Sequence, residues 1–204
     1  MLTAPKTFAR YPAEGAIIGR LLIEYGDLEF SLAHCVSMIT GNQDTAFKVM
    51  FRVRGESHRI QMGDALGRNA IAAGPNRDLF ERTIAHMHRC LKIRNLYAHC
   101  IWLENMRHGL VYVALEEVAK QNGTLDLTKL SQHPAPLSLL QAQEAYFAYV
   151  DDCLHFLNFE AQFAAGRIAI QPLPRPPGIS EPPIQMPKVA LNSRAPTGGP
   201  TTPP

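Results

Sequence analysis

The amino-acid sequence predicts a mainly α-helical bundle that carries one small β-hairpin and ends in an unstructured tail. Three observations lead there. Apolar residues recur at helical spacing over several long stretches, one later run is β-rich around a loop, and proline crowds the C-terminal end. Residues 12–40 hold Ile17, Leu21, Tyr25, Leu28, Leu32, Val36 and Ile39 on one stripe, with Pro12 suited to the first helical position and Gly41 to the stop. A second helical segment covers 43–73. Gly55, Gly63 and Gly67 each weaken it by about 1 kcal/mol relative to alanine, so a bend or break is expected there. After the GPN turn at 74–76, Asp78 and Glu81 favour the start of a third helix running to about His99, striped with Leu79, Phe80, Ile84, Met87 and Leu91.

The period then changes. The run CIWLENMRHGLVYVAL has two short β-rich pieces around a loop ending in Gly109, which predicts a hairpin near 101–115. The breaker HPAPLS at 133–138 follows, and Ser138 with Gln141 forms a capping-box pattern for a final helix over about 139–165, ending at Gly166. From Pro172 onward 11 of 33 residues are proline, a composition that cannot build a packed core. The domain organisation expected is a helical domain over 1–170 and a Pro-rich disordered tail over 171–204, with no internal repeat.

Composition narrows the function classes. With 204 residues, 46% of them apolar, the chain can bury a substantial core, and a net charge of +2 gives no bulk attraction for nucleic acid or membrane. A nucleic-acid role must come from a local patch. Cys35, Cys90, Cys100 and Cys153 show no paired spacing and the N-terminus no signal-peptide pattern, so the expected setting is reducing and cytoplasmic. No apolar run approaches the roughly 20 residues needed to span a bilayer, so no membrane partner is expected.

One stretch breaks its own pattern. In IRNLYAHC, residues 93–100, Arg94 falls near the middle of the apolar arc defined by Phe80, Thr83, Met87, Cys90, Leu91 and Ala98. Asn95 lies at the edge of that arc, and His99 is one turn beyond Asn95 on the same face. The three side chains are expected to converge. A buried unpaired charge costs several kcal/mol, so Arg94 needs an internal acid or an opening where an anion enters. Glu29, at the edge of the 12–40 stripe beside Tyr25, is the expected partner.

The hexapeptide RNLYAH resembles the signature of the HEPN superfamily: an arginine, usually a polar residue, then a histidine after a gap of four to six residues, late in a helix of a helical bundle. The resemblance spans about residues 12–165, though its specific part is this motif alone. It implies a HEPN-like antiparallel helical bundle and a metal-independent endoribonuclease, possessing no cofactor, that leaves 2′,3′-cyclic phosphate ends. In that chemistry His99 serves as acid or base, a task suited to the side chain that exchanges a proton near neutral pH. Arg94 holds the phosphate, and Asn95 orients the histidine or bonds the phosphate. The family also implies a homodimer in which two motifs meet, single-stranded RNA as the substrate, and a toxin or defence role with an inhibitory partner protein.

Charge is segregated in a way that suits RNA: residues 43–94 hold ten Lys/Arg against five Asp/Glu, whereas 101–170 hold four against eight. Lys48, Arg52 and Arg59 are placed on one helical face and are the expected backbone contacts. A solvated surface stripe is the blander account of the same residues. Tyr97 and Trp102 flank the motif as stacking candidates or, more simply, as packing. His86, Cys90, His99 and Cys100 are metal-capable but lack a ligand spacing, so no metal is expected. The rival function is a non-catalytic helical interaction or nucleotide-binding module, with PLPRPP in the tail offered to a polyproline-recognition groove.

Overall fold

The computed structural model describes residues 4–120 and 130–189. Helix α1 (Ala4–Arg10) precedes α2 (Pro12–Thr40), α3 (Gln43–Arg52), α4 (Glu56–Arg68) and α5 (Pro75–Ala98). Strands β1 (Cys100–Asn105) and β2 (Gly109–Ala114) follow, then α6 (Leu115–Ala119), β3 (His133–Pro134) and α7 (Leu137–Ala164). The protein is mainly helical with a small three-stranded antiparallel sheet ordered β1-β2-β3. The two long helices α2 and α7 form its most extensive pairing, α5 packs on both, and α4 crosses α2 and α5. Their shared core buries Leu21, Leu32, Phe80, Met87, Leu140 and Leu154 almost completely.

The long helices start and stop where local chemistry demands. Pro12 sits in the first turn of α2, where a missing N–H costs nothing, and Gly41 closes the helix at φ 69°. The 43–73 segment divides into two helices. Asn42 caps α3 by accepting from Thr45 N at 3.0 Å, Val53 turns extended, and Gly55 at φ 88° starts α4. Gly63 and Gly67 remain inside α4, because that helix lies tight against its neighbours. A Cβ on Gly67 would come within 2.5 Å of the Phe80 ring. Helix α5 begins at Pro75 itself, and α7 begins at Leu137, two residues before the expected start, with no side-chain bond from the predicted Ser138 cap.

The expected hairpin is present, in register from Cys100 opposite Ala114 to Asn105 opposite Gly109. Asn105 Oδ1 ties its turn by accepting from Arg107 N and His108 N at 2.9 and 3.3 Å. The breaker at 133–134 adds a third strand, with Pro134 opposite Val111 at the sheet edge, where its missing N–H is tolerated.

The tail departs from expectation over the part described. Residues 171–189 lack helix, yet they run along the body as an extended strap, with Leu173 and Ile184 packed on the core and Val189 paired with Gln132. Proline prevents regular structure but not docking, because carbonyls and alternate side chains remain free to bind. Residues 190–204 lie outside the described residues.

Candidate functional site

Arg94 is held by α4. Its Nη1 lies 3.2 Å from Glu56 Oε1, in the first turn of that helix, and donates to Asn95 Oδ1 at 2.8 Å. The guanidinium carbon stands 6.0 Å from the Tyr25 ring centroid, an arrangement in which the cation meets the face of an aromatic. The pair is half-buried, with side-chain exposures of 28% for Arg94 and 30% for Glu56. An arginine on an apolar arc is thus accommodated by an acid from a neighbouring helix.

That acid is not Glu29. Glu29 takes both arms of Arg59, Nε at 2.8 Å and Nη2 at 3.0 Å, in a bidentate pair more deeply buried than the Arg94 pair. Glu29 projects from α2 and is met by Arg59 one turn into α4, whereas Glu56 at the α4 start faces α5. Burial, with the Glu29 charge beside it, pushes the Tyr25 hydroxyl well above the ordinary phenol range, and its oxygen is buried without a hydrogen-bond partner among the described residues.

The expected basic stripe is dispersed by the same break. Lys48 and Arg52 sit on α3, while Arg59 belongs to α4 and is committed to Glu29. Lys48 pairs with Asp44 at 2.7 Å one turn away, and Arg52 is exposed with no ion pair among the described residues.

His99 closes α5. Its backbone N–H bonds Asn95 O at 3.1 Å, its carbonyl accepts from Leu115 N at 3.1 Å, and its side chain is exposed. It borders a cleft of about 410 Å³ between α5, α6 and the strap, together with Lys92, Asn95 and Leu96. Positions 92, 95, 96 and 99 are one helical face, so Lys92 joins the motif residues there. Arg94 does not line this cleft and points toward α4. The three motif side chains therefore do not converge on one cavity: Asn95 links them, bonded to Arg94 on one side and bordering the cleft on the other. Sequence reasoning missed Lys92, although its i, i+3, i+7 spacing with Asn95 and His99 was the available signal.

Comparisons with models of protein families, with curated proteins and with solved structures find no match. Tyr97 is buried, donates from its hydroxyl to Gln143 Oε1 at 2.6 Å, and packs against Trp102 and Tyr112 with ring centroids 5.4 and 5.8 Å away. Neither it nor Trp102 is available to a base. Burial pushes the Cys100 thiol up to about 12, which removes it as a nucleophile near neutral pH. Among the described residues no cluster of three or more His, Cys, Asp or Glu is placed to hold a metal, and no helix is long and apolar enough to cross a membrane. A cavity of about 690 Å³ lies at the opposite end of α5, beside Gly74 and Pro75. At 1.5 Å per residue the 24-residue helix separates it from His99 by about 36 Å.

Proposed function

We propose that the protein is a HEPN-type, metal-independent endoribonuclease that works as a homodimer on single-stranded RNA. The observation that carries this reading is the exposed His99 at the end of α5, sharing a cleft face with Lys92 and Asn95. In the reaction the RNA 2′-oxygen attacks the adjacent phosphorus while the bond to the 5′-oxygen breaks. One imidazole takes the 2′ proton and a second, from the partner copy, gives a proton to the leaving oxygen, which explains why one histidine per chain is enough. Lys92 attracts the phosphate. Arg94 completes its binding by exchanging Glu56 for a phosphate oxygen, a small cost because a half-exposed ion pair is worth about 0–1 kcal/mol. A toxin or defence role with an inhibitory partner belongs to the same reading.

A specific observation favours a second reading: Arg94 is already satisfied by Glu56, Asn95 and the Tyr25 ring. The motif is then a clamp between α4 and α5 in a non-catalytic module. One experiment separates the two. Single-stranded RNA is incubated with the protein in EDTA, and the products are tested for 2′,3′-cyclic phosphate ends. The enzyme reading expects cleavage that folded His99→Ala abolishes and that Glu56→Gln, by freeing Arg94, maintains or raises. Cleavage by His99→Ala at the wild-type rate sinks the mechanism, and a monomer in sedimentation at micromolar concentration sinks the composite site.

A further inference from the structure

The strap does not merely lie on the surface; buried side chains hold its backbone. Gln143, fully buried in α7, donates from Nε2 to the carbonyls of Pro183 and Ile184 at 2.8 and 3.1 Å. His133, also fully buried, meets the Met186 carbonyl through Nδ1 at 3.0 Å. Arg89 of α5 donates to the Pro182 carbonyl and pairs with Glu181 at 2.9 Å. Farther along, Gln132 and Val189 exchange two backbone bonds. Side chains alternate: Pro182 is buried, Ile184 and Met186 are half-buried, and Glu181, Pro183, Gln185 and Pro187 are exposed. Backbone carbonyls read by fixed donors, with every second side chain inward, is how folded domains recognise extended peptides.

We propose that the groove formed by α5, α7 and β3 is a recognition site for an extended, proline-containing segment of a partner protein, and that residues 181–189 are its resident, replaceable occupant. The ligand class follows from the contacts. It needs an acidic residue for Arg89, a proline next to it for the buried position, and an aliphatic residue two further on for the place of Ile184. The carbonyl contacts tolerate any residue and supply affinity rather than choice. Occupancy in trans also changes the neighbouring cleft, because Ile184 and Gln185 form part of the wall facing His99. Displacement of the strap is independent of RNA cleavage.

A tethered occupant competes at an effective concentration in the millimolar range, so the wild-type groove should resist a free peptide. The test uses the full chain carrying Pro182→Asp and Ile184→Asp, which loosens the strap and leaves the groove intact, with a fluorescent peptide ISEPPIQMPKV read by anisotropy. Binding at least tenfold tighter than to wild type is expected, with loss of at least tenfold when Gln143→Leu is added. A folded double variant that does not bind, or that binds a scrambled peptide equally well, overturns the proposal. Should the variant fail to fold, hydrogen exchange on the wild-type chain decides. Peptide in excess over the roughly millimolar effective concentration of the tether must speed exchange of the Val189 N–H, now bonded to the Gln132 carbonyl at 2.8 Å, and no change overturns the proposal.

Discussion

At the scale of single residues, two arginines that look alike in the sequence carry different burdens. Arg59 closes a bidentate pair on Glu29, whose side chain is 11% exposed, whereas Arg94 makes one contact to a Glu56 that is 30% exposed. Removing Arg59 strands a nearly buried carboxylate, so Arg59→Ala is expected to cost about 3 kcal/mol. Arg94→Ala should cost about 1 kcal/mol, because the carboxylate left behind can turn to water. Urea unfolding midpoints check the order, and equal losses would show that the depth of the pair does not matter here. The helical wheel put Arg94 near the middle of an apolar arc, and in the fold it is half-buried, with Ala98 of that arc exposed. The wheel misassigned the partner because it says which way a side chain points and not which helix stands opposite.

At the scale of elements, α4 depends on glycine for contact rather than for flexibility. Gly67 allows Phe80 of α5 to lie against its backbone, and Gly63 does the same for Leu32 of α2, which a Cβ there would approach to 3.0 Å. Gly67→Ala would gain up to about 1 kcal/mol of helix propensity and lose about 1–3 kcal/mol to overpacking, so net destabilisation is expected. Gly19→Ala in α2, where no atom lies within 4 Å of the new Cβ, should instead stabilise by about 0.4–1 kcal/mol. Thermal melts of the two variants should move in opposite directions. The glycines were legible as helix-weakening positions, but only the packing of α4 shows why two of them remain helical while Gly55 forms the break.

At the scale of the whole molecule, the strap brings a titrating group into the interface it closes. His86 on α5 lies under Tyr146 and Tyr149 of α7, near Arg82 and Arg89 of its own helix, with Glu181 of the strap 3.6 Å away. Burial lowers its proton affinity below the ordinary value of 6.5, the two arginines add to that, and Glu181 opposes them. As pH falls through about 6.5 the unfolded chain takes up a proton that folded His86 still refuses, so stability declines. The loss is complete once pH passes below the lowered folded value, where both states are protonated. Melting temperature should therefore fall as pH drops from neutral through about 6.5 and level off below the lowered folded value, and His86→Gln should flatten that limb. An unchanged slope in the variant would assign the loss to other groups.

Periodicity alone determined that this chain is mainly helical, that a hairpin follows α5, and that Arg94 and His99 sit late in one helix, because those properties depend on neighbours within a few residues. Tertiary structure decided the rest. It gave Arg94 to Glu56 and Glu29 to Arg59, put Lys92 rather than Arg94 beside His99, buried Tyr97 against Gln143, and laid a proline-rich segment into a groove. Apart from Lys92 beside His99, a local pair on one helix face, each of those contacts joins residues far apart in the chain, and a long-range pair is chosen by the packing of whole helices, whose relative placement no local pattern encodes.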